Sequence, residues 1–169
     1  MVFIGPCIAK KLEVKRVEDT ADYAMTFEEL AAMFDAQHIH VNDPADNEQD
    51  GSRPAKNFAQ SGGVAAAVAQ VLDEEGYDKP FTCVKCNGAK ECKKYLMILN
   101  AGKLPETILE GMACEGGCIA GPGVVEVLQK LVKTRAKLLA EADSRGVVEN
   151  VQSLHDFSGI SMTAHRKPL

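Results

Sequence analysis

The chain has 169 residues, 46% of them apolar and 25% charged, with a net charge of −5. That length suits one domain burying roughly 70% of its unfolded surface. The negative balance speaks against sequence-independent binding to DNA, RNA or an anionic membrane, and no apolar run approaches the ~18 residues of a membrane span.

"MVFIG" reads as a short buried strand ending at Gly5–Pro6. A buried strand at the very start resembles the middle of a fold. With no basic n-region or long apolar h-region there, the reading is cytoplasmic. "TFEELAAMFDA" is a helix: Thr26 and Glu29 have capping-box spacing, and Phe27, Leu30, Ala31 and Phe34 share one face. "HIHV" reads as a short strand, and the polar segment of about 42–57 as a long mobile loop. "SGGVAAAVAQVLDEEG" is a helix, "FTCVKC" a strand, "AKECKKYLMILNAG" a helix and "TILEGMA" a strand. A long helix is expected from Pro122, which suits a first helical turn. Val125, Leu128, Leu131, Val132, Leu138 and Leu139 would face the core. A last helix near 147–156 leads into a weakly structured tail of about 157–169. Strands alternating with helices predict an α/β fold, a parallel-sheet lobe flanked by helices in a single domain 1–169. Ligands of such sheets lie beyond the carboxyl ends of the strands. Cys7 and Cys114, each following a strand, are therefore expected at one sheet edge.

Six cysteines in a reducing compartment point to buried thiols, metal ligands or catalytic thiols rather than disulfides. Cys114 and Cys118 stand four positions apart in "GMACEGGCIAGPG". Glycine tolerates positive φ and lets a bulky inorganic group approach the main chain. The helix expected from Pro122 would place its positive end near Cys118, favouring a thiolate. Iron–sulfur clusters accept such spacing, tetrahedral zinc usually takes pairs spaced C-x2-C, and two small buried residues are the plain alternative. Cys7 with Lys10 three residues on suits a ligand beside a cation; alone, Lys10 is a solvated charge. Cys83 and Cys86 have metal-ligand spacing and with Cys92 could form a second cluster or a zinc site. Cys92, however, shares a helical face with Ala89, Leu96 and Leu99, which favours core roles for these thiols. His38 and His40 would share one side of a strand, without a third ligand nearby. No Walker A, Gly-x-Ser-x-Gly or Gly-x-Gly-x-x-Gly pattern occurs.

"GPCIAKKLEVKR" resembles the second signature of iron-only (FeFe) hydrogenases, Pro-Cys-x-Ala-Lys-Lys-x-Glu. "ILEGMACEGGCIAGPG" resembles their third, Glu-x-Met-Ala-Cys-x-Gly-Gly-Cys-x-x-Gly, and "AMTFEELAAMF" and "QSGGVAAAV" resemble the helices between them. The resemblance runs from residue 1 to about 125. It implies one lobe of a two-lobed H-cluster domain, in which Cys7, Cys114 and Cys118 ligate the 4Fe–4S cubane. Cys118 would also bridge to a two-iron subcluster, Lys10 would hydrogen-bond a cyanide, and Met112 would pack beside the two-iron site. The implied reaction is reversible H2 oxidation, in an anaerobe, with a ferredoxin-like electron partner. The first signature, roughly Thr-Ser-Cys-Cys-Pro, is absent, so a missing N-terminal lobe on the same or another chain is the expected partner. Gly5 replaces the family's usual Met, and Gly-Pro-Gly its Gly-Gly-Gly, pointing towards divergent or sensory branches. Alone, the lobe is expected to be cofactor-free and inactive, with an exposed apolar interface and self-association. The alternatives are an iron–sulfur-binding H2-sensing or electron-transfer module without efficient catalysis, and a zinc-stapled interaction domain.

Overall fold

The computed structural model describes residues 1–17, 20–40 and 51–154. They divide into two compact units. The first takes the described residues up to His40 with Gly121–Val127, and the second takes 51–120 with Leu128–Leu154.

In the first unit, strand β1 (Val2–Ile4) pairs in parallel with β2 (Tyr23–Met25), Phe3 opposite Ala24. Parallel neighbours need a crossover connection, and helix α1 (Ala9–Arg16) lies within it. Helix α2 (Phe27–Ala36) opens with the expected capping box. Thr26 Oγ1 accepts from Glu29 N at 3.2 Å, and Thr26 N donates to Glu29 Oε2 at 2.9 Å. Its apolar face is only half-covered, with Phe27 40% exposed. "HIHV" does not supply a strand over its described residues: His38 takes φ +55° and closes α2, and Ile39 N bonds Phe34 O at 2.9 Å. The strand is Tyr23–Met25, a run too short for its alternation to stand out in the sequence.

The helix expected from Pro122 begins only at Leu128. Residues 121–127 are drawn into the first unit, where Gly123 N donates to Pro6 O at 3.0 Å and Gly123 O accepts from Glu28 N at 3.4 Å. Gly123 lies so close to Thr26 that a Cβ would sit 2.7 Å from its side chain. These bonds take the main-chain groups that a helical turn would need.

The second unit orders α3 (Arg53–Lys56), α4 (Gly63–Glu74), β3 (Cys83–Asn87), α5 (Ala89–Asn100), β4 (Ile108–Met112), α6 (Leu128–Ala140) and α7 (Val147–Leu154). β3 and β4 pair in parallel, Cys83 opposite Ile108 through to Asn87 opposite Met112, and α5 packs on both. Arg53–Lys56 is one helical turn capped by Ser52 where loop was expected. Residues 41–50 of that loop and the tail from 157 lie outside the described residues.

Among the described residues the buried apolar side chains are Ala65, Ala67 and Cys86. On α6, Leu131 and Leu139 are half-buried, whereas Val132 is 40% and Leu138 42% exposed. Val125 precedes the helix altogether, so the expected six-residue core face is reduced to a partly covered stripe. Among the described residues the strands form two parallel pairs, one in each unit, rather than one sheet. Cys7 and Cys114 each follow a strand, but not on a shared sheet edge.

Candidate cysteine-ligand loop

The third-signature cysteines occupy the turn that leaves β4. Met112 ends the strand, its carbonyl accepting from Gly88 N at 2.8 Å, and Ala113 O accepts from Ala89 N at 3.1 Å. Cys114 is half-buried and Cys118 exposed, and neither forms a disulfide. Gly116 and Gly117 between them take φ +91° and +92°, the left-handed turn expected of "EGG". Their bare faces, however, serve the chain itself. A Cβ on Gly117 would lie 2.5 Å from Ser61 N and 2.6 Å from Ala59 O; one on Gly116 would meet Ala120 Cβ at 3.3 Å. Gly117 lets segment 59–61 cross the loop.

That crossing is hydrogen-bonded. Ser61 N donates to Gly116 O at 3.3 Å and Ile119 N to Ala59 O at 3.1 Å, with Gln60 bridged to Gly117. Asn87, at the end of β3, accepts from Gly116 N through Oδ1 at 2.6 Å. Glu110 on β4 is 7% exposed. Its carboxylate accepts from Gly62 N at 2.7 Å and Ala65 N at 2.8 Å, closing the start of α4. Cys118 opens a short 3-10 turn, Cys118–Ala120, against which α6 packs.

In the first unit, Cys7 is half-buried, just before α1, whose N-cap is Ile8 with no side-chain cap. Lys10 pairs with Glu13 and lies 5.9 Å from the Phe3 ring centroid.

Cys86 is fully buried, and desolvation pushes its thiol pKa up, with charge on Cys92 and Glu91 adding to the shift. A buried neutral thiol is a poor ligand. Cys92 is half-buried, its Sγ 3.6 Å from Met112 O. The burial of Cys86 fits the core role expected of it, whereas Cys92 is only partly covered. Among the described residues no three His, Cys, Asp or Glu side chains converge on a common point. The loop carries two soft sulfur side chains, Cys114 and Cys118, on one turn.

Asn87 and Glu110 escaped sequence reasoning as site residues. The signal was present for one: a carboxylate inside the apolar strand run "TILEGMA" must find donors.

The sequence model of the iron only hydrogenase large subunit, C-terminal domain, matches residues 1–122. The chain belongs to this family. A curated relative, the periplasmic Fe hydrogenase large subunit of Nitratidesulfovibrio vulgaris, is 29% identical over 184 residues, covering 85% of this chain and 44% of that protein. An FeFe-hydrogenase solved to follow oxygen damage to its H cluster 2Fe subcluster superposes with TM-score 0.62 at 20% identity, covering 95% of this chain and 57% of that one. A variant of the Chlamydomonas reinhardtii FeFe-hydrogenase gives TM-score 0.62 at 20% identity, with 95% and 58% covered. The structural likeness establishes the α/β hydrogenase fold. This hydrogenase domain spans about half the length of the relatives it matches.

Proposed function

We propose that this hydrogenase domain supplies Cys7, Cys114 and Cys118 as thiolate ligands to an H-cluster, in a protein completed by an N-terminal lobe. The observation that carries the reading is the Cys114–Cys118 loop: two cysteines outside any disulfide, one of them exposed, on a turn tied to β3 and the start of α4, inside the stretch that matches the family. When bound, the cluster supplies the chemistry of reversible H2 oxidation. The chain's own residues hold and orient it. Rigid attachment of ligand loops limits reorganisation around a metal centre. The uncapped first turn of α1 offers amides that favour the negative charge of a cluster held at Cys7. Lys10, already paired with Glu13, would have to exchange that partner to reach a cyanide.

The test is anaerobic co-expression with the remaining lobe of a relative and the maturation enzymes, followed by infrared spectroscopy. Metal-bound CO and CN bands that vanish in Cys118→Ala are expected. A fully occupied cubane without such bands would replace this reading with the simpler iron–sulfur sensing or electron-transfer module. Gly5 and Pro122, which depart from the family signatures, speak for that module. Zinc without iron would end both.

A further inference from the structure

We infer that Glu110 is a positioning residue that fixes Cys114 and Cys118 through the start of α4. The inference rests on the proposed ligand role of those two cysteines. Helix α4 has no side-chain cap of its own, because its N-cap is Gly62 at φ +87°. Glu110 supplies the cap across space, one carboxylate oxygen on Gly62 N and the other on Ala65 N, at 2.7 and 2.8 Å. A carboxylate there gains from both hydrogen bonds and the helix dipole. The residues just before that cap are those that cross the ligand loop: Ala59 O takes Ile119 N, and Ser61 N reaches Gly116 O. The chain therefore enters the loop after Glu110 and leaves it at Ile119, and both points are fastened to one stretch, 59–65. That stretch has little freedom, since a Cβ on Gly63 would overlap the Asn57 carbonyl. Cys114 and Cys118 lie between the two fastenings, with Asn87 as a third hold on Gly116.

Glu110→Gln keeps the shape but turns one acceptor into a donor facing the helix amides. Glu110→Asp keeps the charge on a shorter arm. Both are compared with wild type by residue-resolved amide exchange on the cofactor-free chain, together with alkylation of Cys114 and Cys118 relative to Cys7. The expected result for Glu110→Gln is exchange accelerated at least tenfold at Gly62 and Ala65 and, with them, at Gly117 and Ile119. Cys114 alkylation should rise relative to Cys7, while Ile98 in α5 exchanges as before. Glu110→Asp should restore part of the loop protection. If the Gln variant exchanges rapidly everywhere, the same comparison is made on the Asp variant. Faster exchange at Gly62 and Ala65 with an unchanged loop and unchanged alkylation would overturn the inference, leaving Glu110 as a helix cap alone. Because no cluster is needed for this measurement, failure of the clamp and failure of the H-cluster reading are separately visible.

Discussion

Gly117 holds φ +92° and faces main-chain atoms of Ala59 and Ser61, so two independent costs fall on any side chain there. The left-handed backbone alone costs an L-residue about 1–2 kcal/mol, and the overlap must be relieved by parting the loop from segment 59–61. Gly102 provides the control, because it has φ +66° and nothing within 4 Å of its would-be Cβ. Gly102→Ala is expected to lower stability in urea by about 1 kcal/mol, the backbone cost only. Gly117→Ala should cost clearly more and should release protection at Ile119. Equal losses for the two would show that the crossing at Gly117 is soft. The sequence showed that bare backbone was needed beside the two thiols. It could not show that the neighbour was the chain's own segment 59–61, because that partner lies more than fifty residues away.

At the scale of elements, local signals survived and remote ones did not. Thr26 and Glu29 are three residues apart, and their capping box forms as the spacing predicts. The start of α6 depends instead on Gly123 bonding Pro6 and Glu28, contacts invisible to periodicity. Helix α7 is held in a similarly remote way. Both oxygens of Glu74, at the end of α4, accept from Val147 N and Val148 N at 3.0 and 2.9 Å. The Val148 amide, then Gln70 and the Val147 amide, hold the Glu74 pKa below its ordinary 4.5. A carboxylate whose folded pKa is depressed stabilises the fold above the ordinary value, and that contribution is lost as pH falls through the lower folded value. Lowering the pH from neutral should thus leave α7 attached until below about 4.5, then loosen it as Glu74 takes up a proton. Amide exchange at Val147 and Val148, corrected for its intrinsic pH dependence, reads this directly. Glu74→Gln should give the loosened state already at neutral pH. Pinning of α7 in that variant as firm as in wild type would mean that Glu74 is not its anchor.

At the scale of the whole molecule, many large apolar side chains among the described residues are exposed. In the first unit, Val2 is 50%, Phe3 37% and Ile4 44% exposed on β1. In the second, Leu96 is 52% and Met97 65% exposed on α5. Two-stranded sheets are marginal in water without further strands or covering helices, and open strand edges invite pairing with other chains. The chain accounts for 44% of the length of its curated relative, so further polypeptide is available in that protein to cover equivalent faces. By itself, the domain should self-associate through these surfaces. Light scattering across a dilution series is expected to show mass falling with concentration, and Phe3→Lys with Ile4→Lys should weaken association without lowering the urea midpoint. On the proposed reading, in which an N-terminal lobe covers these faces, supplying that lobe should replace self-association with a one-to-one complex. A chain that stays monomeric at every concentration, and binds the added lobe no better than the lysine variant does, would show that β1 is not an interface.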